Sequence, residues 1–255
     1  MFIDAHSHLE HYNNEEIDKV LEQINNKKII TISNSMDISS YMENLNISRK
    51  SKFIIPTFGI HPWNAFKYSD KLNEIEKFIY ETPMVGEVGL DFYWVEDKTQ
   101  FDSQIKVFKF FLEKAKRQDK IINIHTKGAE KEVLYLLESY DIERAIIHWY
   151  SGPKDILIKM IERGCYFTVG VEVFYSDKIK SIAKNIPINK ILTETDGPSS
   201  QEWLVGERGM PIDIERVIYN LCEIKQVNYL EMKNIVFKNL KDLYYEEELS
   251  KMFDR

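Results

Sequence analysis

The chain has 255 residues, of which 44% are hydrophobic, 13% aromatic and 29% charged. That balance excludes a disordered chain, and at this length folding buries roughly three-quarters of the unfolded surface without a disulfide or metal staple. The 34 basic and 41 acidic side chains leave a formal charge of -7, which excludes a protein that coats nucleic acid by broad electrostatics but not a local phosphate site.

Short β-branched runs alternate with longer amphipathic stretches along the chain. The runs at 2–5, 28–33, 53–59, 84–88, 121–124, 144–147, 165–169 and 190–195 are continuously apolar inside, as in Ile29-Ile30-Thr31-Ile32 and Ile121-Ile122-Asn123-Ile124. Continuous rather than alternating apolarity predicts parallel strands buried on both faces. Between them, 15–24 places Ile17, Val20, Leu21 and Ile24 on one stripe, and 72–79 does so with Leu72, Ile75, Phe78 and Ile79. The stretch 99–117 carries Phe101, Ile105, Phe108, Leu112 and Ala115 at helical spacing. Pro153 is expected to open a further helix at its first position, and Gly164 to close it. Helical pattern continues at 217–221 and 232–243.

Eight buried strands, each followed by helical sequence, predict an α/β protein: a single (β/α)8 TIM barrel over residues 1–255, with an open α/β sheet as the structural alternative. Cys165 and Cys222 lack metal-type spacing and read as buried small residues of a reducing compartment. The N-terminal residues carry no basic region followed by an apolar run, and no run nears the 18 or so apolar residues that span a bilayer. A cytoplasmic location, with no membrane and no obligatory protein partner, is expected.

Polar chemistry gathers at the strand ends. His6-Ser7-His8 closes the first strand, His61 follows the third, and Glu87 ends the fourth in Gly86-Glu87-Val88-Gly89-Leu90-Asp91. His125 ends the fifth, His148 the sixth, and Asp196 the eighth. In a β/α barrel these ends converge on the face that carries the active site. Residues two apart on an extended strand project to one side, so His6 and His8 can reach one cation. His6, His8 and Asp196 form one expected ligand set, His125 and His148 a second, and Glu87 a carboxylate able to bridge them. Alone, each is an ordinary strand-end residue or turn acid; joint placement on separate strands is what points to metal. His11 reads as loop surface.

These motifs resemble the TatD family of metal-dependent hydrolases, within the amidohydrolase-like TIM-barrel superfamily. The resemblance runs from Phe2-Ile3-Asp4-Ala5-His6-Ser7-His8-Leu9 through Gly59-Ile60-His61-Pro62, Gly86 to Asp91, Ile124-His125-Thr126-Lys127 and His148-Trp149-Tyr150-Ser151-Gly152 to Thr193-Glu194-Thr195-Asp196-Gly197-Pro198. It implies a deoxyribonuclease-like phosphodiesterase with two divalent ions, of Zn, Mn, Mg, Fe or Ni. By family position His6 and His8 bind the first ion, Glu87 bridges, His125 and His148 bind the second, and Asp196 binds metal and acts as general base. His61 and Lys127 match substrate-proximal positions, and Arg208 is a further candidate for phosphate.

The sequence departs from the family pattern in its pocket wall. Trp149-Tyr150 replaces Cys-Phe after the sixth-strand histidine, Lys127 stands where Arg is common, and Arg208-Gly209-Met210-Pro211 lacks the Asn of Arg-Asn-x-Pro. Lysine gives up bidentate phosphate recognition. The expected substrate is a phosphodiester, DNA ends, small single-stranded nucleic acid or a small nucleotide, with Trp63, Trp149, Tyr150 and Phe92 as candidate stacking or packing aromatics. The alternatives are hydrolysis of amides, lactones or other small substrates on the same scaffold, and a non-catalytic metal-binding barrel. Glu87 rather than a lysine on the fourth strand favours the nuclease-like branch.

Overall fold

The computed structural model describes residues Met1–Tyr244. Among the described residues the strands are β1 (Phe2–Ser7), β2 (Ile29–Asn34), β3 (Ile54–Thr57), β4 (Val85–Asp91), β5 (Ile122–Lys127), β6 (Ala145–Ile147), β7 (Tyr166–Val169) and β8 (Ile191–Thr193). The helices are α1 (Ile17–Lys27), α2 (Ile38–Ser48), α3 (Leu72–Glu81), α4 (Phe101–Arg117), α5 (Glu130–Ser139), α6 (Lys154–Glu162), α7 (Asp177–Asn185), α8 (Ser199–Val205), α9 (Asp213–Lys225) and α10 (Tyr229–Leu243). All eight predicted strands are present and begin within a residue of the expected position. Pro153 is the residue before α6 rather than its first member, with extended backbone, while Gly164 follows the helix at positive φ. Four helices, α2, α5, α7 and α8, lie outside the predicted elements.

The described residues divide into two compact units, 1–33, 43–55 and the part from 167 onward in the first and 34–42 and 56–166 in the second. In the first unit β1 pairs in parallel with β2 (Phe2 with Ile29, Ile3 with Ile30), and β7 with β8 (Phe167 with Ile191, Val169 with Thr193). The end of β8 runs beside β1: the Asp196 amide donates to the His6 carbonyl at 2.8 Å. The last strand thus flanks the first. Leu9, Tyr12, Val20, Leu21, Ile24, Ile47 and Ile54 pack into one buried cluster, which anchors the stripe of α1. Asn228 caps α10 by accepting from the Glu231 amide at 3.0 Å, and Ser176 caps α7 through Ile179.

In the second unit β4 pairs with β5 (Val85 with Ile122, Gly89 with His125) and β5 with β6 (Ile124 with Ile147), with Phe58 bridging to Val85. These strands are buried but for Lys127 at the end of β5, the setting in which parallel ladders occur.

One irregularity recurs at the chemistry. Between Asp4 and Ser7, β1 spends one more residue than β2 does between Thr31 and Ser33. Between Val85 and Val88, β4 spends one more than β5 does between Ile122 and Ile124. An extra residue bends the strand and re-aims a side chain. The two bulges contain His6 and Glu87.

Cys165 is buried as expected, but Cys222 is only partly so, on α9; neither forms a disulfide among the described residues. No described helix is long and apolar enough to cross a membrane.

Candidate metal centre

In the first unit, β1 carries His6, the residue after it starts a short helical turn with His8, and the loop after β8 carries Asp196. His6 Nε2 stands 3.3 Å from His8 Nε2 and 3.8 Å from Asp196 Oδ1, and His8 Nε2 stands 3.5 Å from the same oxygen. Both imidazoles are buried. Strand alternation alone does not account for the His6–His8 pairing, because His8 lies one residue past β1 and the bulge intervenes. Asp196 holds its place at φ 46°, a left-handed conformation that aspartate tolerates better than most residues. Its neighbour is pinned from β1: Asp4 Oδ1 accepts the Thr195 amide at 2.8 Å and Asp4 Oδ2 its hydroxyl at 2.6 Å.

In the second unit, Glu87 is the hub. His125 Nδ1 lies 2.9 Å from Glu87 Oε1, His61 Nε2 3.5 Å and His148 Nε2 3.9 Å from the same oxygen. His61, Glu87 and His125 offer donor atoms within 4.8 Å of one another. The Glu87 backbone is fixed at its bulge, its amide donating to the Ser35 carbonyl at 3.0 Å. Gly59 is required beside it, since a Cβ there would lie 2.2 Å from the Glu87 carbonyl oxygen.

His61 Nδ1 accepts the Trp63 amide at 3.2 Å, which in a neutral ring places the proton on Nε2, the atom that faces Glu87.

Asp91 is a site residue that the sequence reading quoted but gave no role. Its Oδ2 lies 3.1 Å from His125 Nε2 and accepts the Trp63 indole N–H at 2.8 Å. Its Oδ1 accepts the Tyr93 and Trp94 amides. The signal was present: Asp91 is the last residue of β4, a strand-end position like those of the other candidates. Burial opposes charge on the His125 ring, yet its hydrogen bonds to Asp91 and Glu87 outweigh it and raise the pKa. Burial likewise opposes the Asp91 carboxylate, and the bond from His125 overcomes it and lowers its pKa.

The candidate substrate contacts fall differently. Lys127 Nζ donates to the Ser151 hydroxyl at 2.9 Å and lies 5.2 Å from the centre of the Trp149 ring. Arg208 is engaged by carboxylates, at 3.0 Å from Glu16 and 2.6 Å from Glu202, and also donates to the His11 carbonyl. Those partners raise its pKa further. Tyr150 is buried with its hydroxyl on the Pro153 carbonyl, and Phe92 stacks on Phe101 at 4.1 Å, so both pack loops. Trp63 stays about half exposed and Trp149 partly so. His11 is exposed, as expected, and stacks against His8.

Ligand atoms about 2.1 Å from a common ion stand roughly 3–3.5 Å apart. His6 Nε2, His8 Nε2 and Asp196 Oδ1, 3.3–3.8 Å apart, come close to that spacing. Mixed imidazole and carboxylate donors are those chosen by Zn, Mn, Fe and Ni.

The family model described as TatD related DNase matches residues 3–245. An uncharacterized metal-dependent hydrolase of Methanocaldococcus jannaschii is 26% identical over 244 residues, covering 93% of this chain and 94% of its own. A human protein named deoxyribonuclease TATDN3 is 23% identical over 259 residues, covering 95% and 94%. Among solved structures, the TatD homolog YjjV of Escherichia coli K12 superposes with a TM-score of 0.87 at 23% identity, covering 95% of this chain and 97% of that one. The fold class is accordingly α/β, that of the TatD and amidohydrolase TIM barrels.

Proposed function

Because the chain belongs to the TatD-related DNase family and is a metal-dependent hydrolase acting on ester bonds, we propose that it hydrolyses phosphodiesters in DNA ends or small single-stranded nucleic acid, using two divalent ions. Two groups of side chains support this reading: His6, His8 and Asp196, whose facing atoms stand 3.3–3.8 Å apart, and Glu87, which has His125 at 2.9 Å and His148 at 3.9 Å from one carboxylate oxygen. That each group holds an ion is proposed with it. The family motif's bridging role for Glu87 is part of the proposal.

Bound divalent ions supply Lewis-acid charge and bring the pKa of water from about 15.7 toward 7. The remaining work falls to side chains. The Asp196 carboxylate, whose Oδ1 faces His6 and His8, accepts the proton of the attacking water. Asp91 holds His125 by Nε2, leaving Nδ1 directed at the Glu87 side. Lys127 and the Nε2–H of His61 hold the phosphate and meet the charge that develops on its oxygens. Arg208 contributes to phosphate binding only by leaving Glu16 and Glu202. Trp63 and Trp149 are the aromatics placed to stack on a base.

The test is hydrolysis of a short single-stranded DNA, beside amide and lactone substrates, by protein loaded with Mg, Mn or Zn. Cleavage of DNA that falls to background in His6→Ala and Asp196→Asn supports the reading. Turnover of amides or lactones in preference to DNA overturns the substrate assignment.

A further inference from the structure

Glu10 has a buried carboxylate that no hydrogen bond explains. Its side chain is 4% exposed, and neither Oε1 nor Oε2 has a hydrogen-bond partner. Removing a carboxylate from water without compensation costs several kcal/mol, so such a group calls for a partner in the working state. It sits in the turn Leu9–His11, whose Leu9 is locked into the core, so the backbone offers it little freedom to leave.

The group facing it is a ligand candidate from behind. Glu10 Oε1 lies 3.7 Å from His8 Nδ1, while Nε2 of the same ring faces His6 Nε2 at 3.3 Å and Asp196 Oδ1 at 3.5 Å. A neutral imidazole has one donor nitrogen and one acceptor. With the proton on Nε2, the Nδ1 lone pair would point at a buried carboxylate. With the proton on Nδ1, that N–H meets Glu10 and the Nε2 lone pair is presented to the donor set. The spacing is longer than a hydrogen bond, and a movement of roughly 0.5–1 Å closes it. His11, stacked on His8 with ring centroids 5.2 Å apart, backs the ring plane from one side.

We propose that Glu10 is a positioning residue of the metal centre: it fixes the His8 tautomer through Nδ1–H and raises the basicity of Nε2 toward the ion. This rests on the metal-centre reading above. Glu10 acts through His8 and touches neither metal nor substrate.

The experiment is titration of the metal-stripped full chain with Zn2+ against a chromophoric chelator, for the natural protein, Glu10→Ala and Glu10→Gln. Glu10→Ala is expected to bind Zn2+ about 10–100-fold more weakly. Glu10→Gln, whose amide oxygen still accepts Nδ1–H, is expected to lose less. Imidazole 15N NMR of the Zn2+-loaded natural protein is expected to show His8 protonated at Nδ1 and metal-bound at Nε2. Affinity of a folded variant within about twofold of the natural protein, or a His8 bound through Nδ1, overturns the proposal while leaving the metal centre intact. Failure of the natural protein to take up Zn2+ overturns the metal centre, and the proposal with it.

Discussion

The backbone amide of Asp196 donates to the carbonyl of His6 at 2.8 Å, so two members of one donor set are joined through their main chains. Their separation in sequence is 190 residues, yet neither can shift without the other. Asp4 reinforces the joint by taking both the amide and the hydroxyl of Thr195, next to Asp196. Burial pushes the Asp4 carboxyl up to about 7, against the downward pull of those hydrogen bonds. Asp4→Ala leaves two donors of Thr195 without their acceptor, at about 1–3 kcal/mol each. Urea unfolding at neutral pH is expected to show a lower midpoint, accompanied by weaker metal binding; an unchanged midpoint contradicts this role.

Asp91 and His125 form the matching support in the second unit. Asp91→Asn keeps acceptor oxygen for the turn at Tyr93 and Trp94 but removes the charge beside His125 Nε2. Metal affinity is expected to fall by about tenfold or more, measured by chelator competition. Unchanged affinity would show that His125 needs no carboxylate behind it.

Lys127 and Arg208 separate by their present engagements. Lys127 is held by a hydroxyl and an aromatic face, whereas Arg208 is held by two carboxylates. A hydrogen bond to a charged group is worth about 1.5–3 kcal/mol, so Lys127→Ala should lower kcat/KM on DNA by roughly 10–100-fold. Arg208→Ala should alter KM less and thermal stability more. The reverse ranking in steady-state kinetics would return the phosphate to Arg208.

Lys120, two residues before β5, gives a pH signature of its own. Its ammonium donates to the carbonyls of Ile79 and Tyr80, and burial lowers its pKa from the ordinary lysine value to about 8. Between about pH 8 and 10.5 the unfolded chain binds this proton and the folded chain does not, so stability rises with pH across that window. The side chain is only partly buried, and solvent screening reduces the effect to about 1 kcal/mol. Comparing unfolding of the natural protein and Lys120→Met from pH 7 to 10.5 should show the natural protein gaining on the variant. A constant difference contradicts the burial effect.

The strands were legible because their burial on both faces leaves continuous Ile and Val runs, as in Ile29-Ile30-Thr31-Ile32. The ligand candidates were legible because each stands where such a run ends. Other features carry weaker signals. In α7 the buried residues are Ile179 and Ala183, too few to form a stripe, and α8 spans seven residues. In α2 the buried face includes Asn44, whose Oδ1 accepts the Ser33 hydroxyl at 2.7 Å, so polarity there does not mean exposure. By contrast α5 carries Val133, Leu134, Leu136 and Leu137 at helical spacing and was readable in principle. The bulges at His6 and Glu87 depend on ladder register with a neighbouring strand, which a single segment does not encode. The burial of Glu10 and the engagement of Arg208 arise from residues that meet only on folding.

The central claim is that hydrolysis depends on ions held by these His/carboxylate sets. The most direct measurement strips the full-length protein of metal, counts the ions regained per chain, and follows cleavage of single-stranded DNA. Two ions per chain are expected, with activity at background when stripped and restored on loading. Loaded Asp196→Asn is expected to be slower by about 10²–10⁴-fold. Cleavage by the stripped protein, or by loaded Asp196→Asn, at the rate of the loaded natural protein would rule out this dependence on metal and Asp196.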